Sequence, residues 1–140
     1  MFILDTDHVS LWLENHPAVS SKTAEVEADL AITIITVQEL FNGWVGRLND
    51  PDQANQQVRL YAKLSKVVVL LKEIKVLDLD EDADLYFRRL LTDHPNLRKN
   101  RLQKDMRIAV IALSLNATVV TRNRRDFEQV PGLAIADWSN

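Results

Sequence analysis

Four acidic residues, Asp5, Glu39, Asp105 and Asp126, lie far apart in the chain, yet each sits near a junction between an apolar run and a predicted helix. Met1-Phe2-Ile3-Leu4-Asp5-Thr6-Asp7 sets the pattern. An apolar run too short for a helix, ending in two carboxylates, reads as a buried central strand whose carboxyl end delivers acid to an open crevice. Ala31 to Glu39, Gln103 to Ala112 and Ala117 to Phe127 repeat the arrangement. If these junctions meet at one edge of a parallel sheet, the four carboxylates form one acidic pocket. Carboxylates a few ångströms apart repel one another, so protons or a divalent cation must offset the charge. Ligands that are all carboxylate suit a hard ion such as Mg²⁺ or Mn²⁺, with water filling the other positions. Such an ion lowers the pKa of a bound water, orients it against phosphorus and stabilises charge on the leaving oxygen; two ions about 3.5 to 4 Å apart can divide those tasks. No Ser-His-Asp or Cys-His constellation competes, and three glycines leave no glycine-rich phosphate loop.

Each acid also has a purely structural account. Thr36-Val37-Gln38-Glu39 matches a capping box, in which the acid reaches back to a backbone N–H. Asp105 stands at a helix start, where the macrodipole favours negative charge. Asn123 can cap a short helix, and Asp126 three residues later makes a box-like pair. Topology weighs against these accounts taken together. Strands alternating with helices predict a three-layer α/β/α fold around a mainly parallel sheet of about four or five strands, whose ligand crevice lies beyond the strands' carboxyl ends. All four acids map there.

The positioning elements follow in order. Asp7 is a plausible N-cap for a helix from Val9 to Asn15 that stops near Pro17, leaving Asp5 to face the crevice. A helix from Ser20 to Ala28 precedes a β-branched strand from Leu30 to Ile35. Leu40, Phe41, Trp44, Val45 and Leu48 recur at helical spacing as a wide apolar face. Asn49-Asp50-Pro51-Asp52 turns the chain into a long helix from Gln53 to Ser65 or beyond, while Val67 to Leu71 fits helix or strand. Lys75 to Leu79 reads as a strand, Asp82 to Thr92 as a helix with Asp80, Glu81, Asp82 and Asp84 at its start, and Leu97 to Leu102 as a basic connection. Ala117 to Thr121 and Leu133 to Ile135 read as the last strands, with a Pro131-Gly132 turn between them. His8 and His16 lack partners at metal-ligand spacing and read as surface or packing residues.

The 140 residues predict one domain, with 46% hydrophobic and 26% charged residues as in ordinary globular chains. No apolar run approaches a membrane span, and the start of the sequence has no basic region or cleavage site, which argues against export. Cysteine is absent, which excludes disulfides and is compatible with a reducing cytoplasm. The net charge of −3 hides a basic run: Arg98, Lys99, Arg101, Lys104, Arg107, Arg122, Arg124 and Arg125 face only Asp105 between positions 98 and 125, a local excess of +7. That run brackets two of the four acids, where phosphate-binding cations would be useful.

Leu4-Asp5-Thr6-Asp7, Ile35-Thr36-Val37-Gln38-Glu39-Leu40 with Gly43, Asp105 with Ile108-Ala109 and Ala112, and Val120-Thr121-Arg122-Asn123-Arg124-Arg125-Asp126-Phe127 leading to Pro131-Gly132-Leu133 and Trp138 form a pattern over essentially the whole chain. It resembles the PIN-domain ribonucleases, and specifically the VapC-type toxins of toxin-antitoxin pairs. The resemblance implies a Mg²⁺-dependent endoribonuclease with Asp5, Glu39 and Asp105 at the three principal acidic positions. Asp126 stands as the fourth acid and Asn123 as a helper that orients water or carboxylate, since relatives differ between these two positions. Thr6 and Thr121 resemble hydroxyl residues that position the acids, and Asp7 stands where relatives often have Asn. The resemblance also implies a homodimer and an antitoxin that lays a peptide over an apolar groove toward the acids. Arg98, Lys99, Arg101, Lys104, Arg122, Arg124 and Arg125 would hold RNA phosphates without choosing sequence.

Two other readings fit parts of the chain. Asp5-Thr6-Asp7-His8-Val9 also matches the start of haloacid-dehalogenase-like phosphatases, with Asp5 as nucleophile and Asp7 as general acid. A non-catalytic RNA-binding or partner-binding module would keep the acids only as caps.

Overall fold

The computed structural model describes residues 1–140. Five strands, β1 (Phe2–Leu4), β2 (Leu30–Thr33), β3 (Lys75–Leu77), β4 (Thr118–Val120) and β5 (Ala134–Ala136), pair wholly in parallel in the order β3-β2-β1-β4-β5. Parallel neighbours need crossovers, and seven helices take part in them: α1 (Thr6–Leu13), α2 (Pro17–Glu25), α3 (Ile34–Leu48), α4 (Gln57–Glu73), α5 (Glu81–Asp93), α6 (Gln103–Ser114) and α7 (Arg124–Phe127). The chain builds outward from β1 on one side through β2 and β3, then returns to its other side as β4. The strand order therefore reverses between β1 and β4, and the crevice of an open α/β sheet lies beyond the carboxyl ends of strands at that point.

Successive side chains of a strand point to opposite faces, and the short apolar runs use both. Ile3, Ala31 and Val119 face one core, packed by Ala83 and Leu90 of α5, Met106 and Val110 of α6, and Phe127 of α7. Leu4, Ile32 and Val120 face the other, packed by Val9, Val19, Leu40, Val67 and Leu70 from α1 to α4. Burial on both faces explains why these strands read as continuous apolar runs rather than alternating ones.

Several local boundaries differ from the sequence-based expectation, each for a traceable reason. Helix α1 begins at Thr6 rather than Val9, because Asp5 and not Asp7 stands at the N-cap and accepts from the Thr6 N–H at 2.8 Å. Strand β2 ends at Thr33, whose hydroxyl accepts from the Thr36 N–H at 3.2 Å, so the β-branched pair Ile34-Ile35 opens α3. Thr36 is therefore the third residue of the helix, and the capping box expected for Glu39 does not form. Val67 to Leu71 is helical: Val67 and Leu70 are buried while Val68 and Val69 are exposed, a three-residue spacing no strand has. The helix expected from Gln53 begins at Gln57 after a 3-10 turn over Pro51–Gln56, and the second helix lies earlier than expected with Pro17 in its first turn. The basic connection contains two 3-10 turns, Pro95–Arg98 and Asn100–Leu102. Gly132 takes φ +77 in the turn before β5, a conformation that glycine adopts without steric cost. No helix is long and apolar enough to cross a membrane.

Candidate active site

The carboxyl ends of β1 and β4 flank the reversal point, and the residues immediately after them build the crevice. Asp5 follows β1; its backbone N–H donates to the Val120 carbonyl at 2.9 Å, which continues the ladder and fixes where the side chain starts. Asp5 is only 6% exposed. One oxygen accepts from the Thr6 N–H at 2.8 Å, the other from the hydroxyl of Thr121, just past β4, at 2.9 Å. Thr121 is fully buried and accepts in turn from the Asn123 N–H at 2.9 Å. One threonine thus ties the turn after β4 to the acid after β1.

Glu39 lies in the second turn of α3, and Oε1 accepts from the Thr6 hydroxyl at 2.9 Å. That hydroxyl also lies 3.3 Å from the hydroxyl of Thr36. Asp105, in the first turn of α6, accepts from the Asn123 side-chain amide at 3.1 Å. The same amide donates to Asp126 at 3.0 Å, so Asn123 is not a side-chain cap of α7 but a bridge between two acids. Thr6, Thr121 and Asn123 each hydrogen-bond at least one of the four acids.

The electrostatics separate the acids into two kinds. Burial, followed by repulsion from Asp7 and Asp105, pushes Asp5 up to about 7. Burial, followed by repulsion from Glu39, Asp126 and Asp7, pushes Asp105 up to about 6. Asp126 moves the opposite way: the Asn123 amide holds it below the usual carboxylate range, assisted by Arg101, whose Nη1 lies 3.1 Å from each carboxylate oxygen. Asp126 is compensated within the protein, whereas Asp5 and Asp105 repel each other without a cation beside them. Asp7 is the contributor that the sequence underrated, since it acts on both raised carboxyls. Its spacing of two from Asp5 is visible in the sequence, but its inward placement follows only from α1 starting at Thr6.

Asp7 is itself locked. His8, fully buried, donates from Nδ1 to Asp7 at 2.8 Å and accepts at Nε2 from the Trp138 N–H at 3.1 Å, while the other Asp7 oxygen accepts from the Arg122 N–H at 3.1 Å. His8 is thus a packing residue, and His16 accepts from the Val19 N–H at the start of α2. Of the seven cations expected to meet RNA, Arg101, Arg122 and Arg124 are engaged with Asp126, Asp7 and Glu128 respectively. Arg98 donates to the Leu91 carbonyl. Lys99, Lys104 and Arg125 are exposed and take part in no ion pair.

The donor set fits a hard divalent ion. No three acid or histidine side chains are grouped so that they could hold a metal ion together. Mg²⁺, however, usually binds through one or two carboxylates and keeps several waters, so an all-protein cage is not required. Buried Asp5 and half-buried Asp105 supply carboxylates whose excess charge a cation would neutralise. Without metal, the raised carboxyls give a signed pH effect. Between about pH 3.8 and about pH 7 the folded chain holds protons on Asp5 and Asp105 that the unfolded chain has released, so stability rises as pH falls through this window. In chelator the melting temperature is therefore expected to be higher at pH 5 than at pH 7.5. An equal or lower value at pH 5 would contradict the arrangement.

The PIN domain family model matches residues 2–133. The chain belongs to the PIN domain family. Among curated relatives, this PIN domain is 27% identical to Ribonuclease VapC2 of Rickettsia felis, over 99% of this chain and 98% of that one. It is also 27% identical to the tRNA(fMet)-specific endonuclease VapC of Salmonella typhimurium, over 98% and 97% of the two chains. A crystal structure of DNA-bound VapBC from Salmonella typhimurium superposes with a TM-score of 0.76 at 27% identity, covering 98% of this PIN domain and 97% of that chain.

Proposed function

We propose that this PIN domain is a metal-dependent endoribonuclease, the toxin of a toxin-antitoxin pair, acting as one unit over residues 1–140. The observation that carries the reading is the crevice beyond β1 and β4, where buried Asp5 and half-buried Asp105 carry raised pKa values and no local counter-charge. Carboxylates kept only for structural pairing would be stabilised as anions, as Asp126 is by Asn123 and Arg101. Names of the curated relatives, ribonuclease and tRNA-specific endonuclease, support the reaction class, and the VapBC assembly supports an antitoxin partner.

Asp5 and Asp105 would hold Mg²⁺ or Mn²⁺, with Glu39 and Asp126 at the margin of the site. When bound, such an ion supplies charge stabilisation at phosphorus and a water of lowered pKa. Thr6 and Thr121 hold Glu39 and Asp5 in place, and Asn123 keeps Asp105 beside the crevice mouth. Hydrolysis joins the water oxygen to phosphorus and breaks the bond to O3′, leaving 5′-phosphate and 3′-hydroxyl ends. Lys99, Lys104 and Arg125 hold flanking phosphates, with Arg98, Arg122 and Arg124 at the rim and Arg101 supporting Asp126. We infer further that the protein forms a homodimer and works in the cytoplasm, where RNA and a reducing environment compatible with a cysteine-free chain coincide. The test is incubation of purified protein with structured cellular RNAs with and without Mg²⁺. Cleavage that persists in chelator would refute the metal-dependent reading.

The phosphatase alternative is separated by Asp7→Asn, because a general acid at Asp7 would be indispensable there. Here the expected result is retained RNA cleavage with a stability loss of about 1–3 kcal/mol, since the new amide opposes the Arg122 N–H across a hydrogen bond that needs an acceptor. Thermal melts and cleavage assays on the same sample read both quantities.

A further inference from the structure

Glu39 faces two ways. Together with Thr6 it ends a groove of about 530 Å³ that runs along α3 and α4 past Gly43, Trp44, Arg47, Lys63 and Lys66. None of these three cations takes part in an ion pair. Arg47 and Lys63 instead converge on one aromatic ring: the Arg47 Cζ lies 4.9 Å and the Lys63 Nζ 5.8 Å from the centroid of Trp44. Two like charges gathered on a single indole, beside a third on the same wall, repel one another, and an anion placed among them relieves that repulsion. The only other acid on this wall besides Glu39 is Glu14, which pairs with none of the three.

We infer that this groove is a second phosphate-binding bank for the RNA strand, taking phosphates that neighbour the reacting one. The inference rests on the nuclease reading of the acidic crevice and adds to it a substrate path absent from the basic run at 98–125. From Glu39 to Arg47 is eight residues of helix, about 12 Å of axial rise, so the groove cations meet adjoining phosphates and not the one at the acids. Lys99, Lys104 and Arg125 occupy other elements that border the crevice, in the approach to α6, in its first turn and in α7. A strand crossing the acids would therefore meet cations on two banks. The acidic centre by itself repels a polyanion, and unpaired lysines and arginines on both approaches offset that repulsion. An acidic protein segment would be drawn by the same cations but would gain nothing from the continuation across the crevice to the second bank.

The groove floor provides a probe that leaves the cations in place. A Cβ added at Gly43 meets nothing within 4 Å, so a longer side chain there enters the groove without disturbing the fold. Binding of a short fluorescent single-stranded RNA is measured by anisotropy, in chelator and over a range of salt, using the full chain in an Asp5→Asn background so that no cleavage intervenes. Lys63→Ala/Lys66→Ala is expected to bind about tenfold or more weakly, and to lower the slope of log affinity against log salt by about 0.7 for each phosphate that is no longer neutralised. Gly43→Gln is expected to weaken binding with every cation retained. Unchanged affinity and slope in Lys63→Ala/Lys66→Ala, while Lys99→Ala/Lys104→Ala loses affinity, would overturn the second bank. So would loss of binding to an acidic peptide alone, which would assign the groove to a protein partner. Failure of the nuclease reading shows separately, as absence of Mg²⁺-dependent cleavage by the unmodified chain.

Discussion

Asp5→Asn is expected to reduce Mg²⁺-dependent RNA cleavage by about 10³-fold or more, equivalent to about 4 kcal/mol of transition-state stabilisation. The change is close to isosteric. The remaining carbonyl oxygen can still accept from the Thr6 N–H, and the new amide can donate to the Thr121 hydroxyl, so the turn after β1 keeps its hydrogen bonds. What disappears is the buried negative charge. In chelator at pH 7.5 the variant should melt at a higher temperature than the parent, because burial and repulsion from Asp7 and Asp105 no longer penalise position 5. Mg²⁺ should separate the two proteins further. An ion at 100 times its dissociation constant stabilises the folded parent by about 2.7 kcal/mol, which for a chain of this size is a rise of roughly 5–10 °C. The variant should show little of that rise. Cleavage at the parental rate, or an undiminished response to Mg²⁺, would show that Asp5 is only the N-cap of α1.

The second large effect is expected at a residue that need not touch RNA. Thr121→Val keeps the shape but removes the hydroxyl that donates to Asp5 and accepts from the Asn123 N–H. Both partners lose satisfaction at once, the first in a buried position, and the stability cost is about 2–4 kcal/mol. The melting temperature should fall by roughly 6–12 °C. Loss of that hydrogen bond also removes one of the influences holding the Asp5 pKa down, so the carboxylate becomes harder to ionise. The acid limb of the cleavage profile should therefore move to higher pH, with the rate at pH 7 lower by about 10–10²-fold, the scale on which outer-shell partners act at metal sites. Thr121→Ser should restore the pH profile even if some packing is lost. A Thr121→Val protein that melts lower but keeps the parental pH profile would reduce Thr121 to a core residue.

How the two kinds of acid differ bears on which ones the substrate site needs. Asp126 follows a strand and stands at a helix start as Asp5 does, and it shares a basic neighbourhood with Asp105. Its pairing with Arg101 is not legible in the sequence, because Arg101 precedes it by 25 positions and reaches it only once the chain before α6 has packed against α7. Asp7 departs from expectation for a related reason. The choice between Asp5 and Asp7 as N-cap turns on whether β1 continues through Asp5, and the bond from the Asp5 N–H to the Val120 carbonyl decides it.

Glu39 shows the same division. Its membership of the acid group is visible from the strand that precedes it, but the capping threonine is Thr33, three residues before the expected Thr36. With α3 starting one turn sooner, Glu39 lies within the helix and is held by Thr6 from another element. The groove cations Arg47, Lys63 and Lys66 leave no sequence signal at all, since they are scattered singly over two helices that the fold lays side by side.

Sequence by itself determined the alternation of strands and helices, the parallel sheet, and the placement of Asp5 at a strand end and of Glu39 and Asp105 near helix starts. Apolar runs and helical periodicity are properties of neighbouring residues, and they survive any rearrangement at longer range. Tertiary structure alone decided which carboxylates stay uncompensated, which acid each threonine and the asparagine meets, and where the unpaired cations gather. Those outcomes are choices among hydrogen-bond and charge partners up to 116 positions apart, and only the strand order that places β4 beside β1 brings such partners within reach.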